Sequence, residues 1–531
     1  MKLTNPNPDS FYESQLILLS VICVFFLVLD RYLERKTRAQ QYAAGASLRD
    51  RDAADDRLES GKAAGGPVGG ALGGAHAMKT LTRQYLVVYA IVMGADWLQG
   101  PYVYSLYREQ YQFPERLVAV LFVTGFVSAG LAAPLVGVWA DQHGRRKLCL
   151  VFCITYTLAC LCISVPSLPI LLVGRFLGGT STSILFSAFE SWLISSGTSL
   201  GLPPADLSTI MGRATLVNGV VATAAGVLSN QLVKRTGGNF VAPFGASAVL
   251  LVVAWVVIKL TWTENYGAGG GSGAGAGTGT ATQVEQDVFQ VKRLGKAWNI
   301  VRQDPLLLVL GLTQTCFEGS MYLFVFLWVP SLQEHARTPA SLPLGYIFSS
   351  FMISMMLGSL CYTAIVSYHQ RKSSAKAPSG HTTTTTASSP MSTYDSSLTL
   401  HAKLSSLVCA TSALALAMSV ARQEEHVRFW AFCLFEACVG MYYPVQGTLR
   451  GTLISNEHRA TLSSLFRVPL NIFVVVSLLT GVSSARRAVL TASALMLGLS
   501  SLMTGAVIVD RAEEVGVVGG GGQNVNSKAL E

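Results

Sequence analysis

Residues 137–166 read GVWADQHGRRKLCLVFCITYTLACLCISVP, a short charged cluster followed by an apolar run. The cluster ends in Arg145-Arg146-Lys147, and the run from 148 to 165 contains no charged residue. Its length is close to the ~20 residues that a helix needs to cross ~30 Å of hydrocarbon. The stretch therefore predicts a membrane-spanning helix with a basic cluster at one end.

The same pattern recurs along the whole chain of 531 residues, of which 50% are hydrophobic and only 13% charged. Soluble proteins carry about 25% charged residues. Lipid offers no partner to backbone polar groups, so long apolar runs must form helices, and the alternation typical of porin strands is not found. After a first run at 16–29, twelve further runs lie at approximately 84–104, 117–139, 148–165, 169–195, 209–231, 241–261, 306–330, 343–366, 404–421, 427–449, 461–482 and 488–509.

Two low-complexity stretches divide the chain into parts. The segment 262–305 contains GAGGGSGAGAGTGTAT, which cannot build a packed core, and 373–398 is rich in Ser and Thr. We predict an all-α membrane protein with two six-helix halves and one additional N-terminal transmembrane helix. The predicted parts are an anchor helix (1–38), a flexible linker (39–82), an N-terminal half (83–261), a Gly-rich cytoplasmic linker (262–305), a C-terminal half (306–510) containing the 373–398 loop, and a disordered tail (511–531).

The orientation follows from the basic residues, which favour the cytoplasmic side. Four of them, Arg31, Arg35, Lys36 and Arg38, follow the first run directly, which favours an uncleaved anchor with its N-terminus outside over a cleaved signal peptide. Arg145-Arg146-Lys147 then lies inside, and the 166–168 connection outside has no basic residue. Arg486 and Arg487 are an exception, because this orientation places them outside.

Composition excludes several classes of function. The net charge of +9 resides in loops, where it indicates topology rather than nucleic-acid binding. The ten cysteines lie in or beside apolar runs without a CxxC pair or nearby histidines, so neither a metal site nor a disulfide framework is expected. Without a nucleophile–base arrangement or phosphate loop, we expect no enzyme and no cofactor.

Charged residues inside the apolar runs are the main functional signal. Each costs ~2.5–3.5 kcal/mol at the bilayer centre, or roughly 20 kcal/mol together if none were paired or hydrated. They must therefore face one another or a watery cavity. The seven are Asp96, Arg175, Glu190, Arg213, Glu318, Glu436 and Arg467.

Six of these residues form pairs when the second half is aligned with the first. Asp96 matches Glu318, and Glu190 (in LFSAFES) matches Glu436 (in CLFEACV). Arg213 in MGRATLVNGVV matches Arg467 in LFRVPLNIFVVV. Two related halves around a midplane site are the design of many secondary transporters.

The residue types suggest roles. A guanidinium offers a planar fork of donors suited to an oxyanion, so Arg213 and Arg467 are predicted to bind an anion. Arg175 would support them, and Asn218 and Gln99 are candidate neutral donors. Buried carboxylates are suited to proton coupling or charge pairing, and the candidates are Asp96, Glu190, Glu318 and Glu436. The alternative is that the charges are structural ion pairs and that the polar residues pack helices.

The stretch quoted first contains GVWADQHGRR, which resembles the GxxxDxxGR[RK] signature of the major facilitator superfamily. The resemblance implies a conformational role in gating for the motif residues, which are Gly137, Asp141, Gly144, Arg145 and Arg146. The equivalent loop of the second half is degenerate.

A narrower resemblance rests on several strings together: ADWLQGPYVYSLY (95–107), VGRFLGG (173–179), LFSAFESW (185–192), TENY (263–266), FVFLWVP (324–330), GYIFSSFM (345–352) and FRVPL (466–470). They are similar to the molybdate-anion transporter family, a eukaryotic branch of the major facilitators that has the extra N-terminal helix. The resemblance implies uptake of the molybdate anion across the plasma membrane by a multi-pass carrier that alternates between outward-open and inward-open states.

Alternatives remain open at this point. Residue types do not separate molybdate from sulfate, since both are tetrahedral dianions, and another anion or a sugar is a further option. A non-transporting sensor on a carrier fold is the third. The expected partners are the anion and the lipid bilayer, with no nucleic acid, and the expected state is a monomer.

Overall fold

The structure, a computed structural model, describes residues 8–56, 69–266, 298–299, 301–334, 342–375, 391–422, 424–454, 459–480 and 485–511. Thirteen long helices account for nearly all of this described part, and each of the thirteen predicted apolar runs falls largely within one of them. They are α1 (Pro8–Asp56), α2 (Gly69–Gln99), α3 (Glu115–His143), α4 (Arg145–Ile163), α5 (Leu168–Ser199), α6 (Pro204–Arg235), α7 (Ala242–Thr261), α8 (Pro305–Gln333), α9 (Leu344–Ala375), α10 (Met391–Ala421), α11 (Glu425–Leu453), α12 (Arg459–Thr480) and α13 (Arg486–Met503).

Local sequence explains several helix ends. Pro204 and Pro305 begin α6 and α8, where a missing backbone N–H costs nothing. Asp304 caps α8, because its carboxylate accepts a 2.9 Å hydrogen bond from the backbone N–H of Leu306. A π-helical turn, Thr504–Val509, extends α13, and between α2 and α3 a short helix at Val103–Ser105 leads into a second π-helical turn.

The two halves repeat one arrangement. In the first half, packed neighbours follow the order α3, α5, α4, α7, α2, α6. In the second half the order is α9, α11, α10, α13, α8, α12. Each helix of the second series lies six places after its counterpart in the first, so the two halves have the same helix arrangement that the charge pairing predicted. Across the halves, α6 packs on α9 and α3 packs on α12.

The buried cores differ between the two ends of the molecule. At the outer end, where α3 begins and α8 ends, one core joins both halves and includes Tyr104 and Phe122 with Phe326. At the inner end each half has its own core, represented by Phe152 in the first and Leu449 in the second. The halves therefore adhere at the outer end and have separate cores at the inner end.

Helix α1 packs on the second half, mainly against α9. Its buried stripe, Tyr12, Leu16, Leu19 and Cys23, has helical spacing. The Tyr12 hydroxyl donates a 2.5 Å hydrogen bond to Glu425 at the start of α11. The N-terminal end of α1 and the start of α11 thus lie at the same end of the molecule, as the predicted orientation requires.

The described helices extend into the predicted linkers. Helix α1 continues to Asp56 and α2 begins at Gly69, so both ends of the predicted flexible linker 39–82 are helical, as are both ends of the 373–398 loop. The Ala, Arg and Gln residues after the first apolar run are good helix formers, which explains the extension of α1. The predicted linker and tail residues 57–68, 267–297, 376–390 and 512–531 lie outside the described ranges.

Ten of these helices are long and apolar enough to cross a membrane. Part of α12, Leu465–Thr480, is a shorter apolar helix. The other two, α2 and α11, contain the predicted intramembrane charges Asp96 and Glu436, which lower their hydropathy.

Candidate functional site

Polar contacts join the two halves at the outer end; we call the Glu115–Arg486 pair and the contacts around it the outer seal. Arg486, at the start of α13, forms a bidentate ion pair with Glu115, at the start of α3, with Nε–Oε1 and Nη2–Oε2 distances of 3.1 Å. The same guanidinium donates to the Pro330 carbonyl at 3.3 Å. Tyr104 donates to Glu115 at 3.4 Å. Arg486, an exception to the basic-residue rule, is therefore paired with a carboxylate of the opposite half.

Further contacts surround this pair at the same end. Glu109 accepts a 2.6 Å hydrogen bond from Gln333, and Gln231 donates one of 2.6 Å to the Tyr346 hydroxyl. Phe122 meets Phe326 edge to face, with ring centroids 4.9 Å apart. These cross-half contacts between described residues hold the two halves together at the outer end of the molecule.

One face of α8 carries a row of polar side chains. Gln314, Glu318 and Tyr322 follow one another at intervals of four residues, so they lie on one side of the helix. Glu318 is about 20 Å from the inner start of α8, near mid-depth. The residue is buried, with 8% of its surface exposed. Tyr322 contacts Phe126 of α3 edge to face at 5.2 Å, which places the row beside the first half.

Helix α11 carries a second row of polar side chains, which faces the row on α8. Tyr442, Gln446 and Arg450 are again four residues apart, and the two helices run in opposite directions. Tyr442 stacks flat on Phe317 at 3.9 Å, which aims its hydroxyl at Glu318, 3.4 Å away.

Arg450 closes the inner end of the two rows. Its Nη1 lies 3.5 Å from the Gln314 side-chain oxygen, and its positive charge acts on the Glu318 carboxylate. Arg450 was not among the predicted site residues, because the predicted span ended one residue before it. The four-residue spacing of Tyr442, Gln446 and Arg450 was the available signal.

Arg467 lies on the face of α12 that looks towards the first half. It precedes Asn471 by one turn, and the Asn471 amide lies beside Gly130 of α3. The side chain is exposed, and its charge acts on both Glu318 and Tyr322. Within the described part of the chain it makes no hydrogen bond and no ion pair. The structure thus brings Arg467 and Glu318, two predicted site residues, into one cluster with Arg450.

Arg213 does not join this cluster. It lies two turns before Val220, which is 52% exposed, and so shares the outward face of α6. The face of α6 that packs on α9 carries Gly219 and Gly226 instead. Asn218, the predicted neutral donor, accepts a 2.8 Å hydrogen bond from the Trp97 indole. The pairing of Arg213 with Arg467 at one anion stays a prediction.

Arg175 is held inside the first half. Its Nε donates a 3.1 Å hydrogen bond to the Leu121 carbonyl, and its guanidinium lies 5.3 Å above the Phe122 ring. The guanidinium fills the space beside Gly125, where a Cβ atom would meet Nη2 at 2.7 Å. These contacts tie α5 to α3, away from the Glu318 cluster.

The remaining carboxylates of the first half lie on other helices. Asp96 accepts a 2.5 Å hydrogen bond from the Tyr156 hydroxyl of α4. Gln99, one turn later, is buried and donates 3.2 Å to the Ala95 carbonyl of its own helix. Glu190 is exposed, and its charge acts on Tyr89 of α2. Neither Asp96 nor Glu190 forms an ion pair with a described arginine.

Glu436 is buried on α11, with 6% of its side chain exposed. Next to it the backbones of α9 and α11 cross closely, because Gly358 faces Ala437 and Gly440 faces Met355 without room for a Cβ atom. Within the described residues its carboxylate has no hydrogen-bond partner. The structure therefore places it apart from the arginines that the sequence suggested as partners.

The predicted conformational motif joins α3 to α4. Gly144 lies between them with a φ of 101°, a conformation that favours glycine. The Arg145 Nη1 donates to the Ser191 carbonyl at 3.2 Å, and Arg146 Nη2 donates to the Lys259 carbonyl at 2.7 Å. Gly137 has open space around its Cα. The Asp141 side chain lies outside the described residues.

The TENY string, 263–266, forms hydrogen bonds with this motif and stabilises it. Glu264 accepts hydrogen bonds from the backbone N–H groups of Arg146 and Lys147, at 2.9 and 3.2 Å, and so caps the start of α4. Trp192 and Trp262 stack at 3.7 Å beneath it. The sequence singled out the string without indicating this role.

The described residues contain no group of three or more His, Cys, Asp or Glu side chains that could hold a metal ion. All ten cysteines are free thiols, and most are buried. The polar chemistry of the cleft therefore consists of guanidinium, carboxylate, amide and hydroxyl groups.

Comparisons with known proteins bear on this arrangement. Residues 72–393 match a family model described as sugar transporters with 12 transmembrane helices. The chain is 33% identical over 412 residues to the molybdate-anion transporter of Xenopus tropicalis, covering 76% of this chain and 79% of the relative. It is 31% identical to that of Takifugu rubripes over 415 residues, covering 76% and 80%. The solved nucleoside transporter NupG has the same fold, with a TM-score of 0.53, 9% identity and coverage of 80% and 98%.

Proposed function

The chain belongs to the molybdate-anion transporter family of the major facilitator superfamily, and on this premise we propose that it is a secondary carrier that takes up molybdate. The carrier would work in the plasma membrane and alternate between states open to the outside and to the inside. The chain is a multi-pass membrane transporter, and the substrate, the membrane and the mechanism form the proposal.

One observation carries the choice of an oxyanion. Arg467 is exposed on the face of α12 that looks across the cleft, and it has no hydrogen-bond or ion-pair partner among the described residues. A guanidinium in a membrane protein is costly unless water or a counter-ion accompanies it. Its planar fork of donors matches two oxygens of a tetrahedral dianion.

The shape of the molecule supports alternating access. The shared outer core and the Glu115–Arg486 pair hold the halves together outside, whereas the inner cores are separate. Rocking of one half against the other would open the outer end and close the inner end, with the mid-depth cluster exposed to each side in turn.

The structure supports the other predicted site residues to different degrees. Asp96 and Glu318 remain the candidates for proton coupling, and Glu190 and Glu436 remain candidates for proton coupling or charge pairing, since all four are carboxylates inside helices. Arg213 remains a candidate second contact for the anion. The guanidinium of Arg175 donates one hydrogen bond to α3 and lies over the Phe122 ring, which favours a structural contribution.

Uptake of radiolabelled molybdate into cells that lack their own molybdate uptake tests the proposal. Arg467→Ala removes the fork, and we expect the half-saturating concentration to rise at least about tenfold, since losing one charged contact in a site costs ~2–5 kcal/mol. Arg467→Lys keeps the positive charge but not the planar fork of donors. Its half-saturating concentration should lie between those of the wild type and of Arg467→Ala. Arg422→Ala, which removes an exposed arginine at the end of α10, is the matched control.

Unchanged uptake by Arg467→Ala, at normal surface expression, would contradict this placement of the site. Competition separates the remaining substrates. Excess unlabelled sulfate that reduces molybdate uptake in proportion to its concentration would indicate a general dianion carrier. Excess hexose that does so would indicate the substrate class in the description of the family model.

A further inference from the structure

We propose that the dianion binds in the second half between Arg467 and Arg450, and that Glu318 is a displaceable counter-ion that takes up one proton when the anion arrives. The inference rests on the proposed function and deepens it by locating the site and its coupling group. It differs from a symmetric site shared by Arg213 and Arg467.

The first support is the position of Glu318 near the two arginines. The Nη1 atom of Arg450 lies 3.5 Å from the side-chain oxygen of Gln314, one helical turn before Glu318, and Arg467 lies on α12, which packs on α8. The positive charges of both arginines act on the Glu318 carboxylate. Among the described residues neither guanidinium is within ion-pair distance of this carboxylate, and the ion pairs found there involve Arg486. The carboxylate therefore neutralises the two cations at a distance and leaves their donors available.

The second support is the set of hydrogen bonds around the same carboxylate. Tyr442 donates to it from a position fixed by stacking on Phe317, and the Gln314 amide lies one turn away on the same face of α8. Both partners accept as well as donate, because a hydroxyl and an amide oxygen have free lone pairs. They can accordingly serve either the charged or the protonated carboxyl group.

Charge balance then couples anion and proton. The empty cluster holds two arginines and one carboxylate, a net charge of one positive unit. A dianion would turn this into one negative unit, and a single proton on Glu318 restores neutrality. In a low-dielectric site like charges close together strongly favour that protonation. The proton comes from the side to which the cleft is open, and it leaves with the anion on the other side.

The ionisable groups that face Glu318 are few. Arg450, Tyr442 and Tyr443 approach from α11, Arg467 from α12, and Tyr322 lies on α8 itself. Tyrosines and arginines do not change charge between about pH 5 and 8. Within the described residues Glu318 is thus the group of this cluster that can carry the proton.

The test compares Glu318→Gln with the wild type in proteoliposomes. For the wild type we expect molybdate uptake to rise as the outer pH falls from 7.5 to 5.5, in line with proton entry. Glu318→Gln mimics the protonated state and keeps a hydrogen-bonding partner for Tyr442. It should lose the pH dependence and at least about nine-tenths of gradient-driven uptake, while molybdate–molybdate exchange continues.

Binding by the folded variants gives a second measurement. Thermal stabilisation by molybdate should be at least as strong for Glu318→Gln as for the wild type. Arg450→Gln should require about tenfold more molybdate, and Arg450→Lys should lie between. Glu13→Gln, an exposed glutamate of α1, is the matched carboxylate control.

Two results overturn the inference alone: Glu318→Gln keeps the wild-type pH dependence of uptake, or Arg450→Gln binds molybdate as the wild type does. A wild type that neither binds nor takes up molybdate at any pH overturns the proposed function, and this inference with it.

Discussion

Removal of Arg486 should open the outer end of the carrier. Arg486→Ala breaks the two 3.1 Å contacts with Glu115 and the contact with the Pro330 carbonyl. These contacts join the halves only while the outer end is closed. The substitution therefore destabilises the inward-open state relative to the outward-open state, in which both side chains are hydrated separately.

The free-energy cost of Arg486→Ala depends on how deeply the Glu115–Arg486 pair is buried. The Glu115 side chain is 9% exposed and that of Arg486 is 27% exposed. Fully exposed pairs contribute about 0.2–1 kcal/mol, and truncation of a buried hydrogen-bonded pair costs ~2–5 kcal/mol. The Glu115–Arg486 pair is partly buried, so its loss should cost about 1–3 kcal/mol. This free energy changes the ratio of the inward-open to the outward-open state by about 5- to 150-fold.

Spin labels on the two sides of the outer seal measure the ratio of the inward-open and outward-open states. Glu109 and Gln333 lie in the two halves and are joined by a 2.6 Å hydrogen bond, so E109C and Q333C place labels on opposite sides of the closed end. The exposed native Cys361 is replaced by serine in all samples. Pulsed dipolar spectroscopy then gives the populations of short and long distances.

Arg116→Ala is the control, because this exposed arginine adjoins Glu115 and its loss removes the same charge from the outer surface. The charge exchange Glu115→Arg with Arg486→Glu should restore part of the short-distance population. If Arg486→Ala changes the ratio by less than about twofold, the pair does not hold the outer end closed and the reasoning fails.

Two further predictions concern stability. Gly440→Val should abolish folded protein at the cell surface, because a side chain there collides with the Met355 backbone of α9, whereas Gly447→Val, in open space on the same helix, should be tolerated. Fluorescence-detected size-exclusion chromatography measures both. Glu264→Ala should lower the melting temperature in detergent by a few degrees, since loss of a helix cap costs about 0.5–2 kcal/mol, and Glu264→Gln should recover part of the difference. Equal melting temperatures for all three proteins would show that these hydrogen bonds of Glu264 do not stabilise the inner end.

The sequence was sufficient for the helices because hydropathy acts over whole segments. Every predicted run lies mostly in a helix where the structure describes it, and the family and fold follow from motif strings spread over both halves. The linker ends were less predictable, since the residues of α1 beyond the apolar run are polar yet favour helix. Helix propensity without hydrophobicity leaves no signal in a membrane-span pattern.

The candidate site was only partly predictable, because facing residues depend on helix rotation. Arg213 and Arg467 occupy equivalent places in the sequence, yet the former shares a face with the exposed Val220 and the latter looks towards α3. Arg450 lay just outside a predicted span. Spacing of four residues identifies one helix face, but which neighbour that face meets is settled only by packing.

The contact between α1 and the second half constrains how the protein is made. Tyr12 and its partner Glu425 are 413 residues apart. At synthesis rates of about 5–20 residues per second, roughly 20–80 s pass between the emergence of one and of the other. During that interval the stripe from Tyr12 to Cys23 faces lipid or the insertion machinery, and it reaches its final place only after α9 and α11 have entered the membrane. A chain that ended before α9 would leave this first helix without its packing partner.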